Sequence, residues 1–202
     1  MSNEDVFKNL ANKYDVPERV ALANIIASEL RNHIEADHEQ TLIDYGGGTG
    51  LVSLQLIDLF KHITIMDASR EMIDVATSKI ETEDLKNVDS MHIDVTKDTS
   101  DASLPKADII ILSLVLLHVT DKVTLLKQLR NMLKEDGAIY IVDFDKNERV
   151  THPKVTNGFT EETLQVLCDK ADLKYEGRNV FYKGEKIFVK EDAEVFVARI
   201  TR

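Results

Sequence analysis

A single cysteine, Cys168, excludes an internal disulfide and any metal site built from several thiolates of one chain. It falls among Leu164, Leu167 and Ala171 at helical spacing, so it reads as a buried structural thiol and not as a nucleophile. No stretch approaches the roughly 18 consecutive apolar residues of a membrane span. MSNEDVFKNL, at the start, has neither the basic region nor the apolar core of a secretory signal, and a cytoplasmic protein is expected. Basic residues are scarce relative to acidic ones, 25 against 36, which leaves a net charge of −11. That balance disfavours a nucleic acid partner, because such affinity rests on cations that neutralise phosphates. No two histidines have metal-ligand spacing on one helix, so no metal is expected, and His33, His38 and His62 read as surface residues. Repeats and low-complexity segments are also missing. What remains is a 202-residue chain, 43% hydrophobic and 30% charged, with room for one α/β domain around a single core.

Short β-branched runs alternate with longer helical patterns, which predicts a mostly parallel sheet flanked by helices. Strands are expected at Thr41 to Tyr45, Ile63 to Met66, Val88 to Ile93, Asp108 to Leu117 and Ala138 to Phe144. Between them the spacing predicts a helix from about Leu51 to Phe60 with Leu51, Leu54 and Ile57 on one face. A second helix starts after Ser69 as its cap, and a third follows Thr120, runs to about Lys134 and stops in a turn at Glu135, Asp136 and Gly137. Beyond Phe144 a polar loop through His152 and Pro153 leads to a helix from Thr160 to Ala171. Two strands, Asn179 to Val189 and Glu194 to Ile200, then pair as an antiparallel hairpin through the connection EDAE. Ahead of the sheet, helical patterns cover Asn3 to Lys13 and Pro17 to His33. The expected organisation is one domain, with a helical extension at 1–38, a cofactor-binding core at 41–144 and an acceptor-side loop, helix and hairpin at 145–202.

DYGGGTG stands directly after a strand and before a helix, where glycines let the backbone approach a ligand. A dinucleotide loop needs G-x-G-x-x-G, but counting from Gly46 gives Gly48 and then Leu51, and no lysine followed by Ser or Thr makes it a P-loop. The spacing is acidic-x-Gly-x-Gly-x-Gly, through Asp44, Gly46, Gly48 and Gly50. Asp67 closes the second strand, where a carboxylate accepts from both hydroxyls of a ribose, and Asp94 repeats that placement after the third. Three carboxylates suit a ligand with an amino group, a ribose diol, an adenine amine and a sulfonium charge, and they repel a pyrophosphate.

The segments DYGGGTG, MDASREMIDVA, MHIDV, ADIIILSLVLLHV, LKEDGAIYIVDFD and GFTEETLQVLCDKADL, from Leu42 to Leu173, resemble in their order the class I S-adenosylmethionine-dependent methyltransferases. The likeness is strongest to the small-molecule branch that includes the ubiquinone and menaquinone methyltransferases. This resemblance implies a Rossmann-like, doubly wound, mostly parallel seven-stranded sheet with an antiparallel C-terminal hairpin and an N-terminal helical lid. It implies that Asp44, Tyr45 and the backbone at Gly46, Gly48 and Gly50 hold the methionine end of S-adenosylmethionine, and that Asp67 binds the ribose. Ala68 and Met72 would line the adenine, Asp94 and Val95 would meet its edge, and Ser113 with Leu114 would lie near the transferable methyl. Where methyltransferases of nucleobase and glutamine amines carry Asn or Asp followed by Pro-Pro-aromatic, this chain has SLVL, which places oxygen or carbon acceptors ahead of ring nitrogens.

A direct displacement needs a base only if the acceptor must lose a proton. His118, His152 and Asp143 are the candidates, and each has a plainer alternative: a histidine packed at the sheet edge, a solvated loop histidine, a carboxylate that caps a turn. Asp94 also reads either as a ligand or as a turn cap, and Tyr14 as a gate or as packing between helices. The expected function is methyl transfer to a small-molecule acceptor. The alternatives are a non-catalytic S-adenosylmethionine-binding regulator, an NAD-dependent oxidoreductase and, as a minor option, an aminopropyltransferase.

Overall fold

The computed structural model of the chain describes residues 13–97 and 104–202. Helix α1 (Pro17–His33) starts on the proline, whose missing N–H costs nothing in a first turn, and buries Ala23, Ile26, Ala27 and Leu30 along one stripe. Strands β1 (Thr41–Tyr45), β2 (His62–Asp67) and β3 (Val88–His92) follow, with α2 (Arg70–Thr82) between the last two. Then come β4 (Ala107–Ser113), α3 (Lys122–Met132), β5 (Leu133–Phe144), α4 (Glu161–Lys170), β6 (Lys174–Phe188) and β7 (Glu191–Thr201). Of the two expected front helices, the first lies outside the described residues except for Lys13.

The sheet has seven strands in the order β3-β2-β1-β4-β5-β7-β6. Pairing is parallel for β1 with β2, β2 with β3 and β4 with β5, and antiparallel where β7 meets β5 and β6. The mostly parallel α/β sheet with a C-terminal antiparallel hairpin is therefore present, and its strand order reverses direction at β1. The chain divides into two compact units, one ending at Asp94 and the other beginning at Val95.

The parallel strands are continuous apolar runs because both of their faces are covered: Ile63, Ile65 and Met66 in the first unit, and Ile110, Ile111, Leu112, Ile139, Ile141 and Val142 in the second, have no accessible surface. Each such side chain contributes roughly 1.5–3 kcal/mol relative to exposure. Helix starts are set by side-chain caps. The Ser69 hydroxyl accepts from the Met72 amide at 3.4 Å, Thr160 accepts from Thr163 at 3.1 Å, and α3 is capped by Asp121, the residue after Thr120.

Four local expectations are corrected. Leu51 to Phe60 is not a helix but a set of turns around a single 3-10 turn at Ser53–Leu56, and the buried positions are Val52, Ser53, Leu56 and Phe60, out of phase with the expected face. Gln55 and Leu59 donate to carbonyls three residues back, so the segment never propagates as α-helix. β4 ends at Ser113, not Leu117: Leu114 takes φ +57 and donates to Val142 O, and the chain turns into a 3-10 segment at Leu116–His118. Helix α3 stops at Met132, and Leu133 is already extended and opposite Ala107. Because Ala138 faces Ile109, β5 advances five residues while β4 advances two, so Glu135, Asp136 and Gly137 belong to an outlooped bulge within the strand and not to a helix-ending turn. The final hairpin turns at Val189 and Lys190, both with positive φ, so EDAE lies inside β7.

In the second unit the polar loop after β5 is tied at its ends. Asp145 pairs with Phe159, and the Phe159 amide donates to Phe144 O at 3.0 Å. Gly158 makes that closure possible: its φ is +90, and a Cβ there would stand 2.3 Å from the Asp145 carbonyl oxygen. Gly158→Ala is expected to destabilise the protein by about 2 kcal/mol or more. The measurement is a lowered urea midpoint at unchanged slope, and a midpoint equal to that of the parent would contradict the close approach.

Candidate functional site

In the first unit the glycine loop leaves the end of β1 and folds back onto the end of β2. The Gly46 and Gly47 amides both donate to Met66 O, at 2.7 and 3.0 Å, the Gly48 amide donates to Asp67 Oδ2 at 3.0 Å, and the Gly50 amide donates to Gly47 O at 2.9 Å. Gly46, Gly48 and Gly50 all have positive φ, between 57° and 81°, which a side chain would resist. Four of the five amides from 46 to 50 are thus already engaged. A loop in that state has little left to offer a phosphate, which is recognised by free backbone N–H groups.

Asp44 sits beneath this loop. It is 1% exposed, and neither carboxylate oxygen has a hydrogen-bond partner. A Cβ on Gly47 would stand 2.5 Å from its Oδ2, so a glycine is the residue that fits above it. Burial pushes its pKa up to about 7, assisted by the charge of Asp67; the Ser53 hydroxyl and amide oppose this in part without reaching hydrogen-bond geometry. An uncompensated buried carboxylate of this kind is costly, and a cation brought to the loop relieves that cost.

Asp67, half-buried, uses Oδ2 for the Gly48 amide and Oδ1 for the Ser69 amide at 2.8 Å. Each oxygen keeps a further lone pair, so the carboxylate can still accept from a diol. Ala68 is exposed beside it, and its carbonyl accepts from His92 Nε2 at 3.1 Å. Met72 Sδ lies 3.9 Å from the position a Gly48 Cβ would take, so the structure brings Met72 to the loop. Tyr45 is buried, and Asp94 is half-buried just after Ile93, whose amide donates to Asp67 O. Sequence reasoning missed a further cluster here: Thr49, in the middle of the loop, meets Asp15 and Lys79. No periodicity or motif marks those two residues.

In the second unit Val95 is fully buried and Ser113 half-buried at the end of β4. Asp143 is fully buried and turned onto backbone: Oδ2 accepts from the Leu117 amide at 3.1 Å and Oδ1 from the Phe144 amide at 2.8 Å. Burial raises its pKa to about 7, against the pull of those amides and of Lys122. The Leu117 carbonyl in turn accepts from the Thr156 amide and hydroxyl, at 2.9 and 3.1 Å. One residue, Leu117, thus joins β5 through its N–H to the loop that carries His152 through its C=O. His118, next along, is exposed on the 3-10 turn; partial desolvation, then the charge of His152, holds its pKa below the usual histidine range. His152 is exposed, with Nδ1 accepting from the Lys154 amide at 3.2 Å. Lys122, also missed from sequence, lies 5.8 Å over the Phe159 ring, and burial lowers its pKa. Cys168 is buried with its thiol pushed up to about 12, as a structural thiol should be. Among the described residues no group of His, Cys, Asp and Glu is arranged to hold a metal, and no helix is long and apolar enough to cross a membrane.

A family model described as "Methyltransferase domain" matches residues 36–185, about three quarters of the chain. The chain belongs to this methyltransferase family. Among curated relatives it is 27% identical to the ubiquinone/menaquinone biosynthesis C-methyltransferase UbiE of Vibrio parahaemolyticus over 198 residues, covering 94% of this chain and 74% of that protein. Among solved structures it superposes on a SAM-dependent methyltransferase from Aquifex aeolicus with a TM-score of 0.71 at 19% identity, covering all of both chains. An S-adenosylmethionine-dependent methyltransferase from Clostridium acetobutylicum gives a TM-score of 0.64 at 16% identity and 98% coverage of each. At those identities the structural likeness is one of fold, and the fold is the Rossmann-like one of these methyltransferases.

The protonation of Asp44 yields a test with a definite sign. Its folded pKa, about 7, lies above the ordinary 3.8, so the folded state holds the proton longer than the unfolded one. Its contribution to stability is therefore intact below pH 3.8 and is lost as pH rises to 7 and beyond. Asp44→Asn removes that loss, so the ligand-free variant should gain more in melting temperature over the parent at pH 8 than at pH 5. An equal difference at both values would show that Asp44 is not the buried, uncompensated group described.

Proposed function

We propose that this methyltransferase carries the methyl group of S-adenosylmethionine to a small-molecule acceptor and releases S-adenosylhomocysteine. The observation that carries this reading is the orphaned carboxylate of Asp44 under a loop whose amides are mostly engaged. Such a site favours a cation over an anion, and the cofactor brings both an ammonium and a sulfonium. A pyrophosphate would find neither free amides nor a positive field there, which argues against the nicotinamide alternative.

Within that reading Asp44, Tyr45, Gly46, Gly48 and Gly50 take the methionine end, and Asp67 the ribose. Ala68 and Met72 take the adenine face, Asp94 and Val95 its edge, and Ser113 completes the cofactor set. Asp44 is closed off by Gly47, so within this reading it acts on the ammonium through its charge, across the loop, without direct contact.

The bound cofactor supplies an activated methyl on sulfur. The protein's part is alignment of the acceptor and, where the acceptor must ionise, removal of its proton. His118 is the preferred base because partial desolvation, then the charge of His152, favour its neutral, proton-accepting form. Asp143 acts through the Leu117 peptide, as a positioning residue, and His152 flanks His118 electrostatically. Carbon or oxygen acceptors are favoured by SLVL at 113–116 and by the C-methyltransferase relatives. We carry a cytoplasmic setting and no nucleic acid partner as part of the same proposal, supported by the acidic composition.

Calorimetry with S-adenosylhomocysteine tests the assignment. The parent should bind it and should not bind NAD. In Gly48→Leu, whose new side chain would stand beside Met72 in otherwise open space, affinity should fall tenfold or more, about 1.4 kcal/mol. Stability should drop by only about 1–2 kcal/mol, the cost of a left-handed residue. Retained affinity in that variant would overturn the loop assignment. Release of S-adenosylhomocysteine against an acceptor panel then separates an active enzyme from a protein that only binds the cofactor.

A further inference from the structure

The first unit contains a partly buried ionic cluster that the cofactor assignment does not use. Lys79, in the last turn of α2, lies with Nζ 2.6 Å from Asp15 Oδ2 and also donates to the carbonyl oxygen of Thr49 at 2.9 Å. The Thr49 hydroxyl donates to the other Asp15 oxygen. Three groups thus close a ring: the segment just before α1, the far end of α2, and the middle of the glycine loop. Thr49 is 5% exposed, and the Lys79 and Asp15 side chains are 22% and 14% exposed, so solvent screens the ring far less than an ordinary surface pair. Immediately upstream, the Tyr14 hydroxyl donates to Glu71, in the first turn of α2. Two consecutive residues therefore grip both ends of the helix that carries Met72.

We propose that Asp15, Lys79 and Thr49 form a latch that positions the glycine loop for its ligand and couples the docking of residues 14 and 15 to cofactor binding. Thr49 lies between Gly48 and Gly50, the two loop residues with the least resistance to backbone motion. Anchoring both its carbonyl and its hydroxyl fixes the one loop side chain able to hold the turn. Because Asp15 belongs to the same ring, an ordered loop and a docked Asp15 stabilise one another, and a ligand that orders one must tighten the other. Asp15, Lys79 and Thr49 are positioning residues here, since none is placed against the ligand. The inference rests on the proposed use of the loop for S-adenosylmethionine.

The test combines titration of S-adenosylhomocysteine with amide exchange on the full chain. Lys79→Met and Asp15→Asn should each weaken binding tenfold or more, and the double variant should be no weaker than the worse single, because either change opens the same ring. In the parent, S-adenosylhomocysteine should slow amide exchange at Asp15 and Val16; in Lys79→Met it should not, a difference that a purely stabilising ion pair would not produce. Should Lys79→Met fail to fold, Thr49→Val is expected to weaken binding while Thr49→Ser, which keeps the hydroxyl, retains it. Single variants that bind within twofold of the parent, or equal behaviour of the Val and Ser variants, would overturn the latch. If the parent itself does not bind S-adenosylhomocysteine, the cofactor reading fails. The latch is then judged by whether Lys79→Met speeds exchange at Gly48 and Gly50: faster exchange supports it and unchanged exchange overturns it.

Discussion

The first unit depends on a carboxylate that has no partner. Asp44 lies on β1 with its oxygens closed off by Gly47, and the chain accepts the cost of burying it unpaired. Much of the surrounding structure follows from that placement. Position 47 cannot carry a side chain, because one would occupy the carboxylate's space. The loop amides fold away from it, onto Met66 and Asp67 at the end of β2, and so do not neutralise it. Asp67, itself anionic, deepens the local negative field instead of relieving it. A fold that needed only a turn between β1 and the segment after it would place a hydroxyl or an amide at position 44 and satisfy it. The result is a buried acidic position whose ionised form the surrounding fold does little to stabilise.

In the second unit the organising interaction is of the opposite kind. Leu117 is a single residue whose N–H goes to Asp143 and whose C=O receives two bonds from Thr156. Through it the end of β5 and the loop up to Phe159 hold the 3-10 turn that presents His118. The closure of that loop by Gly158, by Phe159 against Phe144 and by Arg178, which binds both Asp145 Oδ1 and Phe159 O, gives the region a rigid base. Between those tied ends, residues 151–154 are exposed.

Legibility from sequence followed the reach of the interactions involved. Strands β1, β2, β4 and β5 were readable because burial on both faces forces unbroken apolar runs, and Ser69 and Thr160 were readable because caps act over three residues. The segment 51–60 misled because Leu51, Leu54 and Ile57 recur at helix-like spacing, although the positions that are buried are Val52, Leu56 and Phe60 and the hydrogen bonds at Gln55 and Leu59 close three-residue turns. Gly137 looked like a helix stop because a bulge and a turn use the same residues. The turn geometry of the glycine loop was legible through spacing, since Gly46, Gly48 and Gly50 are the loop positions with positive φ. The Asp15–Lys79–Thr49 ring was not, since it joins residues 34 and 30 apart in sequence whose types are ordinary on any helix or loop.

Asp44 and Asp143 show why burial and pKa alone do not identify a functional group. Both are aspartates on strands, both are essentially inaccessible, and burial raises both to about 7. Their hydrogen bonds separate them. Asp143 accepts from two backbone amides, and each of those bonds fixes a strand end or a turn, so its charge is already put to structural use. Asp44 accepts from nothing. Stability alone would be better served there by a residue that asks for no partner. The two carboxylates therefore differ in use: Asp143 holds the end of β5 and the turn after β4, whereas Asp44 serves no hydrogen bond of the fold.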